Sequence, residues 1–170
     1  MRPMTRAELD SLALRRGQVV DMLNGGHAHM TFEEAVAELP VDAINLAAPN
    51  VGYTFWHLVE HLRITQRDML DYVLGPDYPR LDWPADYWPA RSARASREEW
   101  DASVGSFVED RERLAALVAD PARDLDAVIA WTPDHTLLRC VRIIGNHNSY
   151  HVGEIAVLRQ VTGTWPTGHE

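Results

Sequence analysis

Apolar residues return along this chain at helical spacing in four long stretches, each closed by residues that stop a helix. From Thr5 to about Asn24, Leu9, Leu12, Ala13, Val19, Val20 and Leu23 recur at that spacing, and Gly25-Gly26 ends the run. A second stripe spans about Tyr53 to Leu74 with Phe55, Leu58, Val59, Leu62, Met69, Leu70 and Val73; Arg63, Arg67 and Asp71 lie opposite, and Gly75-Pro76 closes it. A third opens on Ser96-Arg97-Glu98-Glu99, which fits a capping box, and carries Val104, Phe107, Val108, Leu114, Leu117 and Val118 as far as Pro121. The fourth follows the turn residues Thr132-Pro133-Asp134-His135-Thr136. It places Leu137, Leu138, Val141, Ile144, His147, His151, Ile155 and Leu158 down one side of a helix ending near Gly163.

The intervals between these stripes are short or poor in helix formers. Thr31-Phe32-Glu33-Glu34 is a further capping box, followed by Ala35, Val36 and Leu39 before Pro40, and predicts a short connecting helix. Residues 75–95 contain Pro76, Pro79, Pro84 and Pro89, which forbid a long helix, together with Trp83, Tyr87 and Trp88, which supply large apolar anchors. An ordered Pro/Trp-rich loop folded over the helices is expected there, and a short strand or extended segment from Asp124 to Trp131. The pattern predicts an all-α fold, a four-helix bundle with short connecting helices forming one domain over residues 1–170. Metal sites in such bundles are built in the core, from side chains on facing helices.

Composition narrows the partners. At 170 residues, 46% hydrophobic and 24% charged, the chain has enough apolar material for a core without staples. Its net charge of -9 leaves no basic footprint for a nucleic-acid backbone, and the arginines at Arg91, Arg94 and Arg97 are followed at once by Glu98, Glu99 and Asp101. The single cysteine, Cys140, excludes an intrachain disulfide and any multi-cysteine metal site, and within Leu137-Leu138-Arg139-Cys140-Val141 it reads as a small buried residue. No stretch approaches the ~20 apolar residues that span a bilayer. The N-terminal residues contain no uninterrupted apolar run, so a cytoplasmic location is expected.

The chemistry-bearing feature is Gly145-Asn146-His147-Asn148-Ser149-Tyr150-His151-Val152-Gly153-Glu154. Histidines at i and i+4 share one helical face with Cβ atoms ~5–6 Å apart, so both imidazoles can reach one ion. His147 and His151 are in phase with Val141, Ile144, Ile155 and Leu158 and therefore point inward. There an imidazole needs a partner for each polar nitrogen, and a divalent cation would satisfy one on each ring. The second stripe offers a third ligand, His57 or His61. His61 shares its face with Leu58, Leu62 and Met69 and is the better inward candidate, while His57 lies at the stripe's edge. Glu154 is open to two roles, a fourth ligand or an acceptor behind one. His27 and His29 are a second histidine pair with a loop-anchoring or capping reading, and His135 and His169 read as turn and tail residues. Hydrogen-bonded core histidines without any metal are the competing reading of the whole set.

His147-xxx-His151-x-Gly153-Glu154-Ile155 with Leu158-Arg159 resembles the last-helix motif of the DinB-like (DinB/YfiT) metal-binding four-helix bundles. Trp56-His57-Leu58-Val59-Glu60-His61-Leu62-Arg63 resembles their second-helix motif. The likeness extends over Trp83-Pro84-Ala85-Asp86-Tyr87-Trp88-Pro89 and the helix order. It implies that His61 joins His147 and His151 around one divalent metal, zinc or nickel, although histidine nitrogen suits iron and copper as well. It also implies a homodimer, and Glu154 stands where the family more often has glutamine. Relatives include thiol-dependent transferases and isomerases and proposed hydrolases, so the resemblance implies a metal that activates a thiol or a water. A thiol would be exogenous, since Cys140 is a poor nucleophile. The alternative is a non-catalytic binding or structural protein in which the histidines or a metal only stabilise the core.

Overall fold

A computed structural model describes residues 5–168, which leaves His169 outside it. The described residues form five α-helices: α1, Arg6–Asn24; α2, Phe32–Val36; α3, Phe55–Leu74; α4, Arg97–Ala119; and α5, Leu137–Thr162. Two 3₁₀ turns, Val41–Ala43 and Ala85–Tyr87, lie in the connections. Among the described residues there is no strand. The extended segment expected from Asp124 to Trp131 is reduced to one antiparallel bridge between Val128 and Thr136.

Every α-helix starts on a hydroxyl side chain, because the first backbone N–H groups of a helix have no partner within it. Thr5, Thr31, Thr54, Ser96 and Thr136 each accept from the N–H three residues on. The boxes at Thr31/Glu34 and Ser96/Glu99 form as the sequence predicts, and Thr5/Glu8 adds another. At α3 the reciprocal partner is a histidine. His57 Nδ1 lies 2.6 Å from the Thr54 hydroxyl and receives the Thr54 N–H at 3.3 Å.

Both α1 and α3 pack against both α4 and α5, and α2 packs on α5. The interior has two apolar zones. Phe32, Phe55, Leu58, Leu62, Phe107 and Ile155 belong to one; Leu70, Leu114, Val118, Val141 and Ile144 belong to the other. Between them, one turn of α3 and one of α5 carry buried polar residues, Gln66 and Asn148. Cys140 is fully buried in the second zone, where burial raises its thiol pKa and removes it as a nucleophile.

Two sequence expectations change on folding. Of the α1 stripe only Leu23 is buried; Leu9 and Leu12 stay 47% and 38% exposed because α4 stops at Ala119, and they border an open groove with Ala119 and Pro121 instead. In the 75–95 segment, Trp83 points outward at 72% exposure, while Tyr87 and Trp88 turn in. Arg159, the arginine of the Leu158-Arg159 motif, is fully buried, and its hydrogen bonds go to backbone carbonyls. It donates to the carbonyls of Ala35, Ala37 and Thr164 and lies 4.0 Å over the Trp165 ring, tying the end of α5 to α2.

Candidate metal centre

The two i, i+4 histidines of α5 and one histidine of α3 meet where these helices pack. The ring centroids of His61, His147 and His151 are 4.9, 4.8 and 4.5 Å apart taken pairwise. One nitrogen from each ring falls within 4.8 Å of the others, a group that could hold one metal ion. His61 and His151 are buried and His147 half-buried. No other group of three or more His, Cys, Asp or Glu side chains among the described residues has this closeness.

The outer nitrogens are already committed. His61 Nδ1 donates to the Tyr87 carbonyl at 2.7 Å, and His151 Nδ1 donates to Glu154 Oε2 at 2.6 Å. His147 Nδ1 faces Asn148 Oδ1 at 3.4 Å, and Asn148 in turn donates its amide to Gln66 Oε1 at 2.7 Å. The short bonds of His61 and His151 to acceptors put the proton on Nδ1 and leave Nε2 as a lone pair in those two rings. His61 Nε2 and His147 Nε2 are 3.0 Å apart, a contact satisfied either by a proton on His147 Nε2 or by a cation shared between the two nitrogens. Both rings are neutral at neutral pH, because burial first, then the neighbouring histidines, push them down to about 4. The donor set fits a divalent ion: three neutral imidazoles converge on one point, and the outer N–H groups of His61 and His151 are held by acceptors.

The segment after α3 closes one side of this cluster. Trp88 stacks on His61 with centroids 3.8 Å apart and planes 7° apart, and the Tyr87 hydroxyl donates to Asp68 Oδ2 at 2.7 Å. His57 is directed to the same segment and away from the triad. Its Nε2 donates to the Ala90 carbonyl at 3.0 Å while Nδ1 caps α3, so of the two histidines on α3 only His61 joins the pair on α5. His29 anchors its loop as expected, with Nδ1 on the Met30 carbonyl at 2.7 Å and Nε2 at 2.9 Å from the Ser149 hydroxyl. His27 is exposed, and His135 pairs with the Tyr72 hydroxyl.

Glu154 supports the site from behind. One carboxylate oxygen holds His151 and the other accepts the Tyr53 hydroxyl at 3.3 Å. The sequence reading missed Tyr53, Gln66, Asn148 and the Tyr87 carbonyl. Asn148 and Gln66 carry a signal in retrospect, as polar residues in phase with apolar stripes. The carbonyl carries none, because a backbone group has no residue identity.

The DinB superfamily model matches residues 26–155. No curated protein and no solved structure matches the chain. The matched span includes all three clustered histidines and the segment that covers them; it leaves out all of α1 and the Leu158-Arg159 end of the motif. With that match over well more than half its length and its histidines gathered at one point, the chain belongs to the DinB superfamily.

Proposed function

We propose that His61, His147 and His151 hold one divalent ion, zinc or nickel, through their Nε2 atoms, and that this centre is the active site of a metal-dependent transferase or hydrolase. The protein would be a single four-helix-bundle domain in which α1, α3, α4 and α5 are the bundle helices; the pairing of α1 and α3 with both α4 and α5 supports that architecture. The observation that carries the metal reading is the convergence of one nitrogen from each of His61, His147 and His151 within 4.8 Å, on two facing helices and largely out of solvent. Three protein ligands are the number a catalytic site uses, since a closed structural site takes all its positions from protein. Bound there, a divalent ion supplies a Lewis acid that lowers the pKa of a water or thiol and makes a nucleophile available at neutral pH.

The chain's own residues set the conditions for that chemistry. The Tyr87 carbonyl and Glu154 fix the Nδ1–H tautomer and the ring orientations of His61 and His151. Trp88 excludes water from the His61 face. Elemental analysis of the purified protein should find close to one equivalent of metal per chain, and His147→Ala should lose it; absence of metal from the wild type, or full retention in the variant, refutes the centre. Glutathione, mycothiol and bacillithiol assayed against electrophiles then separate thiol transfer from hydrolysis, because hydrolysis proceeds with no thiol added. Burial of His61 and His151 equally suits a metal that only staples α3 to α5. That reading predicts a large loss of stability on chelation in a protein inactive in every such assay.

A further inference from the structure

Next to the histidine cluster, α5 and the stretch leading into α3 border an open groove of about 490 Å³, within the size range of small-molecule sites. Pro49 and Val51 line it from the stretch before α3, and Val157, Leu158 and Val161 line it from α5. Val157 and Val161 are 63% and 58% exposed, which is unusual for branched aliphatic side chains grouped along one helix. Gly153 also lines the groove, and a Cβ added there would meet nothing within 4 Å. A glycine inside a helix is destabilising relative to alanine, and here neither a close neighbour nor a left-handed backbone calls for one. What the missing side chain leaves is open space in the groove.

The polar part of the lining lies toward the N-terminal side along α5, where Tyr150 and Glu154 are joined by Tyr53. Glu154 is the carboxylate that holds His151, and the Tyr150 ring packs edge-on to His151 at 5.0 Å, so the groove adjoins the metal cluster through these two residues. None of the residues lining it is lysine, arginine or histidine. A carboxylate or phosphate placed there would lose water with no cation to replace it and would face Glu154.

We propose that this groove binds the apolar body of an uncharged small-molecule substrate, with its polar end directed at the Glu154–His151 pair. The word substrate rests on the metal-centre reading above; the selection for an uncharged, apolar body rests on the groove alone.

Methyl NMR of valine-labelled protein, titrated with 4-phenyl-1-butanol and with its anionic counterpart 4-phenylbutyrate, tests this. The alcohol should shift the Val51, Val157 and Val161 methyl signals saturably, and the carboxylate should bind about tenfold more weakly or worse. Gly153→Leu, which fills the groove from an exposed helix position, should weaken the alcohol by roughly tenfold while circular dichroism stays that of the wild type. Absence of saturable shifts at these methyls, equal binding of the two probes, or an unchanged affinity in Gly153→Leu overturns the proposal. So does a wild-type dimer in sedimentation that Val157→Glu dissociates, because the groove would then be an interface between copies. Metal is measured on the same samples: alcohol binding in a protein that holds no metal supports the groove and refutes the metal centre, whereas bound metal without alcohol binding does the opposite.

Discussion

Each histidine of the cluster is held by a different kind of acceptor, and the three should not be equally important. The His151–Glu154 bond is short and charge-assisted, whereas the His147–Asn148 contact is long and neutral. Glu154→Gln keeps an acceptor in place but removes the charge, and it should lower metal affinity by about 10- to 100-fold in a competition assay against a chelator. Asn148→Leu should cost less. The depressed pKa values of His61 and His147 make a second prediction, for chelator-treated protein. Folded, these rings take up protons only near pH 4, while in the unfolded chain they do so near about 6.5. The unfolded state thus binds more protons between those values, and stability, complete above about 6.5, should fall as pH drops toward 4. Urea midpoints across that window should show the decline in wild type and a shallower one in His147→Gln. How much of this site the sequence disclosed depends on where each part comes from. His147 and His151 were legible because a four-residue spacing is a helical fact, and His61 because its stripe is apolar. The Tyr87 carbonyl, the Trp88 ring and the Asn148–Gln66 bond come from chain segments brought together only by folding.

Helix boundaries were legible for a simpler reason, since capping is local and its residues stand within three positions of one another. The exceptions are instructive. Thr54 caps α3 with a histidine in place of the usual carboxylate, so the motif went unseen, and the same bond removed His57 from the metal site. In α1 the periodicity was read correctly, but burial needs a facing surface, which the end of α4 does not extend far enough to provide. The stop of α1 carries a testable constraint of its own. Gly25 sits at φ 76°, ψ −158°, a region open essentially to glycine alone, and a Cβ there would come within 2.9 Å of His29 Cε1. That ring is not free to swing aside, because both of its nitrogens are engaged. Gly25→Ala should therefore destabilise the protein by about 1–3 kcal/mol, read from denaturant midpoints, and Gly25→Ala/His29→Ala should recover the part due to the clash.

The position of the cluster gives the metal reading a consequence for the whole molecule. His61 and His147 belong to the turns of α3 and α5 that adjoin Gln66 and Asn148, between the two apolar zones. An ion held there by both helices binds the folded chain and not the unfolded one, because His61 and the α5 pair are brought together only by the fold. Mass action then fixes the effect. With free metal at a hundredfold excess over Kd, binding adds about 2.7 kcal/mol to global stability. For a chain of this size each kcal/mol moves Tm by roughly 2–4 °C, so chelation should lower the midpoint by roughly 5–10 °C. The shift should also depend on metal concentration, as an ordinary packing contribution does not. His147→Ala separates an ion in this cluster from one bound elsewhere: the variant should start lower than wild type and show no further fall with chelator. An unchanged chelator response in His147→Ala would place the ion outside the cluster. A wild type indifferent to chelator would mean that the cluster is held without an ion, by a neutral hydrogen bond between His147 Nε2 and His61 Nε2.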